Sequence, residues 1–95
     1  VKIHGNYCGP GWVHGRAMKE ADYYQVPEID PIDQLDAGCQ AHDKDCANGG
    51  CSKKGDLALA DVALAVAITT SDPLLRTKAF AIAGAMTVTA NTRSR

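Results

Sequence analysis

The sequence predicts an all-α domain stapled by disulfides. Apolar positions recur at helical spacing in two stretches, and an alanine-rich third stretch follows them. An acid followed directly by proline opens two of the three. Four cysteines, Cys8, Cys39, Cys46 and Cys51, stand in a chain of 95 residues. A chain this short buries too little surface for a large core and gains from cross-links. An even cysteine count then points to two disulfides and an oxidising compartment. Four cysteines allow three pairings, and spacing alone does not choose among them.

One domain over residues 1–95 is expected. It begins with a turn-rich loop, "HGNYCGPGW", in which Gly5, Gly9, Pro10 and Gly11 break any regular element. Residues 13–26 show no clear period and read as irregular with one turn of helix, anchored by Tyr23 and Tyr24. The first helix is expected over residues 31–47, with Asp30 as N-cap, Pro31 at the first helical position and Asp33 in the first turn. Ile32, Leu35, Cys39, His42 and Cys46 share one face of it, and Asn48, Gly49 and Gly50 stop it. Asp33 and Asp36 read as first-turn acids that complement the helix dipole.

After "SKKGD", a second helix is expected over residues 56–70, with Leu57, Asp61, Leu64 and Ile68 on its buried face. "SDP" then opens a third over residues 73–90, which buries Leu75, Ala79, Ile82 and Met86. The tail "NTRSR" reads as frayed and solvated. Val1 does not open a signal peptide, and any such segment is expected to have been removed or not included.

Composition excludes several classes of function. The formal net charge is -1 and aromatic residues make up 5%. With no basic block, neither a nucleic-acid binder nor a polybasic membrane anchor is expected. No apolar run approaches the roughly 20 residues of a transmembrane helix. Zinc is disfavoured because no C-x-x-C pair exists. An EF-hand starting at Asp43 fails, because Asn48 and Lys54 fall where its glycine and glutamate belong.

The chemistry concentrates in "LDAGCQAHDKDC". His42 lies on the buried stripe of the first helix, and Asp61 holds the same kind of position on the second. A buried acid is costly unless paired. The two on facing helices would satisfy each other, the aspartate fixing the imidazole tautomer and raising its basicity as a general base needs. Asp43 points about 100° around the helix from His42, free for another task such as a metal. Glycines in "NYCGPGW" let backbone carbonyls turn inward, and carbonyls with one carboxylate suit Ca²⁺.

These residues resemble the phospholipase A2 family. Its calcium loop Y-C-G-x-G reads here Tyr7, Cys8, Gly9, Pro10, Gly11. Its helix motif P-x-D-x-L-D-x-x-C-x-x-H-D runs from Pro31 to Asp43. The resemblance implies a phospholipase A2-like core: two antiparallel catalytic helices, a calcium loop and a third helix. It implies calcium-dependent hydrolysis of the sn-2 ester of glycerophospholipids. His42 would be the general base, and Asp61 is the match for the aspartate that orients it. Asp56 is set aside because it falls at a helix start, where a capping acid is expected. Asp43 and the carbonyls of Tyr7, Gly9 and Gly11 would hold Ca²⁺, which with the Gly9 N–H would stabilise the oxyanion. The family bonds two cysteines at the places of Cys8 and Cys39, which leaves Cys46 with Cys51. A secreted monomer working at a phospholipid membrane surface is implied, with no nucleic-acid partner.

The chain departs from the family in several places. Gly38 replaces the first of two adjacent cysteines, and the second helix lacks its partner. Asp45 and Cys46 stand where the family has a cysteine and a tyrosine, so the tyrosine that braces the catalytic aspartate is absent. Tyr23 or Tyr24 is the replacement available. Trp12 stands where a second glycine is common, and residues 48–55 are too few for the β-wing of venom and pancreatic enzymes. The pattern is closer to minimal bacterial, fungal and viral versions. Trp12, Val13 and Met18 are equally suited to touching lipid and to closing the core. Two other functions fit the sequence: a lapsed phospholipase-like module that binds a membrane or protein, and a disulfide-stapled structural or toxin fragment.

Overall fold

The computed structural model describes all 95 residues. A two-stranded antiparallel ribbon, β1 (Trp12–Val13) with β2 (Arg16–Ala17), follows the N-terminal loop and leads into a 3-10 helix, Glu20–Gln25. Three helices come next, α1 (Gln34–Ala47), α2 (Lys53–Thr69) and α3 (Pro73–Thr92). No helix is long and apolar enough to cross a membrane.

Both disulfides form as the family pairing implies, Cys8–Cys39 and Cys46–Cys51. The first spans 31 residues of sequence. By chain entropy a closure of that length contributes about 3–4 kcal/mol. It ties the loop to α1 one turn before His42.

α1 starts later than expected. Asp33, not Asp30, is its N-cap, accepting the Asp36 N–H at 2.9 Å. Ile32 is therefore outside the helix and exposed. Asp36 does more than complement a dipole. It is fully buried, and its carboxylate accepts the backbone N–H groups of Asn6 (2.9 Å), Tyr7 (2.8 Å) and Ile32 (3.0 Å). Gly5 lets this carboxylate approach, since a Cβ there would overlap it. The loop before Cys8 is thus moulded on the first turn of α1. Further bonds hold it: His14 joins Tyr7 Oη at 2.9 Å, and Tyr7 Oη donates to the Ile29 carbonyl at 2.6 Å.

α2 also starts elsewhere than expected. Ser52 caps it, its Oγ accepting the Gly55 N–H at 3.0 Å. Asp56 therefore lies a full turn inside the helix and is not needed as a cap. The helix also turns a different face inward. Leu59, Ala63, Val66 and Ala67 are in the core, while Leu57, Asp61, Leu64 and Ile68 are exposed, Ile68 by 69%. In a helix this rich in apolar residues several stripes share the helical period. Packing selects the one with small side chains, where α3 answers with Ala79 and Ala83. α1 and α2 run antiparallel: Asp45 lies against Gly55, His42 against Asp56, and Gly38 against Leu59 and Val62. A Cβ on Gly38 would meet Val62 Cγ1 at 2.8 Å. A side chain at the position where the family carries a cysteine would force Val62 to move.

α3 follows its prediction closely. Asp72 caps it by accepting the Leu74 N–H, with Pro73 in the first turn. Ala79 and Ile82 are buried, and Leu75 and Met86 pack beside them. The tail is docked rather than frayed. The Arg95 carbonyl accepts the Lys53 N–H at 2.8 Å, and its guanidinium donates to the Gly49 carbonyl at 3.2 Å. Val13 is fully buried, Met18 packs on the core, and the Trp12 indole donates to the Gly5 carbonyl, so all three help close the interior.

Candidate active site

His42 leaves the middle of α1 toward the start of α2, and its partner there is Asp56. Nε2 lies 2.7 Å from Asp56 Oδ1, in contact with a carboxylate that has no exposed surface. The expected partner, Asp61, is corrected by this geometry. It lies more than a turn further along α2 on the exposed face, in a shallow groove with Lys53, Lys54 and Arg95. The capping role that counted against Asp56 belongs to Ser52.

Arg93 supplies the rest of the pair's surroundings. Its Nε donates to Asp56 Oδ2 at 2.6 Å. Burial alone would raise the Asp56 pKa, but the Arg93 bond and then the His42 bond outweigh it and hold the carboxyl below its ordinary value. An ionised carboxylate only accepts, so His42 Nε2 donates to it, and in the neutral ring Nδ1 is the nitrogen left with a lone pair. Neither tyrosine braces Asp56. Tyr23 is a core residue whose hydroxyl donates to Glu28, and Tyr24 is exposed. Arg93 takes that place from the opposite end of the sequence, in a segment with no helical or motif signal to reveal it.

Replacing Arg93 with alanine strands Asp56 Oδ2 in the interior. The expected cost is about 1–3 kcal/mol in urea unfolding at neutral pH. The sign with pH follows from the direction of the shift. A carboxyl whose folded pKa is depressed stabilises the fold above its unfolded pKa, and loses that contribution as pH falls through the folded one. The variant's deficit should therefore be largest near neutral pH and shrink as pH falls and Asp56 takes up its proton. Superimposable acid-unfolding curves would refute the role of Arg93.

His42 faces a cleft of about 580 Å³. Ile3, Leu59, Ile82 and Met86 form much of its apolar wall. Tyr7, Gly9 and Asp43 line the same cleft, and so does Glu20. Gly11 does not line it, and its carbonyl accepts the Met18 N–H at 3.0 Å across the ribbon. Four of the six residues expected at a calcium-dependent centre thus converge, Tyr7, Gly9, His42 and Asp43, while Asp61 and Gly11 do not line the cleft.

Asp43 is 4% exposed, and its Oδ2 is a buried oxygen without a hydrogen-bond partner. Burial, then the charge of Glu20, then that of Asp36, push its pKa up to about 8. An orphaned carboxylate oxygen on a residue that lines one cleft with Tyr7 and Gly9 fits a hard cation such as Ca²⁺. A softer cluster lies nearby, with ligand atoms of His42, Cys46 and Cys51 within 4.8 Å of one another. The two sulfurs are bonded to each other, however, and offer no thiolate.

The chain matches no protein-family model, no curated protein and no solved structure. What the fold defines is a small, mostly helical domain with two disulfides. Its cleft brings a histidine–aspartate–arginine chain beside an unpartnered aspartate.

Proposed function

We propose that this chain is a calcium-dependent phospholipase A2. In this reading it cleaves the sn-2 ester of glycerophospholipids to a fatty acid and a lysophospholipid. The observation that carries the reading is the His42 Nε2–Asp56 Oδ1 bond at 2.7 Å, with the histidine facing the cleft that holds the orphaned Asp43.

His42 acts as the base. Its Nδ1 takes a proton from water as the water oxygen attacks the ester carbonyl. Asp56 stabilises the imidazolium that forms, and Arg93 keeps Asp56 ionised while it does so. The imidazolium then returns its proton to the departing glycerol oxygen, which restores the neutral ring. The apolar wall of the cleft takes the acyl chain and limits bulk water near the reacting ester. Asp43, with the carbonyls of Tyr7 and Gly9, would hold Ca²⁺. When bound, the ion polarises the ester carbonyl and stabilises the oxyanion. Two disulfides support an oxidising, extracellular setting, in which the chain would meet its substrate at a phospholipid surface.

The test is release of fatty acid from sn-2-labelled phosphatidylcholine vesicles by the oxidised protein, with calcium and with chelator. Turnover that disappears on chelation is the expected result. No turnover from a chain that still binds calcium would instead mark a lapsed enzyme that retains the fold for binding.

A further inference from the structure

Glu20 is the one acidic side chain in the cleft that no expectation used. It opens the 3-10 helix, and its side chain turns back toward the loop, where Oε1 accepts the Gly11 N–H at 3.1 Å. Glu20 lines the cleft together with Asp43, Tyr7 and Gly9. The bond to Gly11 occupies one lone pair of one oxygen. The rest of the carboxylate remains available.

The cleft therefore holds two carboxylates on a mostly apolar lining. One of them is 4% exposed and has an oxygen with no partner. Like charges brought together in such a place repel, and each loses hydration besides. A divalent cation between them removes both penalties. Gly11 meanwhile does not line the cleft, its carbonyl engaged by Met18 and its N–H by Glu20; the Gly9 carbonyl also accepts an N–H, that of Trp12, but Gly9 lines the cleft. We infer that Glu20 is a direct ligand of the bound cation, standing in for the Gly11 carbonyl. This rests on the calcium-dependent reading above and changes its ligand set to two carboxylates, Asp43 and Glu20, with the carbonyls of Tyr7 and Gly9. Two carboxylates match the ion's charge, and the number of charged ligands is what tunes calcium affinity.

The experiment is calorimetric titration of CaCl₂ into the oxidised full chain, comparing wild type, Glu20→Gln and Asp43→Asn. Glutamine keeps an acceptor for the Gly11 N–H and removes only the charge. The expected result is calcium affinity at least about tenfold weaker in Glu20→Gln, the lower bound for losing even an outer-shell partner of a metal. Its melting temperature in chelator should be no lower than that of wild type, because the charge removed is one that repels Asp43. Wild-type affinity in Glu20→Gln, with binding lost in Asp43→Asn, would overturn the role of Glu20 and leave the calcium reading standing. No calcium binding by wild type would overturn both. Weaker binding in Glu20→Gln together with a lower melting temperature in chelator would also overturn it, because Glu20 would then be a loop brace.

Discussion

Hydrolysis by His42→Asn is expected to fall by about 10²–10⁴-fold, the usual share of a positioned general base. Asparagine can still donate a hydrogen bond toward Asp56, but it has no nitrogen able to take a proton from water. Asp56 keeps Arg93 at 2.6 Å, so the buried carboxylate is not left alone. Calcium binding by the variant should therefore be unchanged, and its far-UV circular dichroism should match wild type. Turnover within a few-fold of wild type would show that His42 is not the base, whatever its bond to Asp56.

Asp43→Asn should abolish calcium binding and, with it, turnover. It should also reveal a cost that wild type carries without the ion. The Asp43 pKa is about 8 in the fold, against about 3.9 in an unfolded chain. Between those values the folded state holds a proton that the unfolded state has released. Stability must then fall as pH rises through that window, and the loss is complete above about 8. Asparagine resembles the protonated acid and carries no such slope. The difference in melting temperature between variant and wild type, measured in chelator, should thus widen in favour of the variant from acid to mildly alkaline pH. Saturating calcium should reverse the order, because it stabilises only the chain that binds it. A difference that stays constant with pH would mean that Asp43 ionises freely and is not the buried ligand described.

Local signals were the readable part of this chain. Asp72 and Pro73 marked the start of α3 because a cap and a fixed φ act within one turn. The cysteines paired as the family motif implies, and that motif also pointed to the cleft shared by Tyr7, Gly9, His42 and Asp43. The failures came from choices between near-equal local options. Both Ser52 and Asp56 can cap a helix, and taking the second placed α2 three residues late and set aside the acid that His42 meets. Along residues 57–68 almost any stripe is apolar, so periodicity could not tell Asp61 on the outside from Asp56 on the inside. Glu20 and Arg93 were invisible for another reason. One is fixed by the Gly11 N–H across a turn, the other by a carboxylate 37 residues away. Neither contact leaves any trace in the residues around it.

The docked tail also bears on the order in which the molecule is made. During synthesis from the N-terminus, the loop, α1 and α2 emerge before Arg93 does. Until Arg93 arrives, Asp56 has only a histidine to offset its removal from water. Closing the site thus waits on α3: only when that helix has packed does its far end carry Arg93 to the acid between α1 and α2.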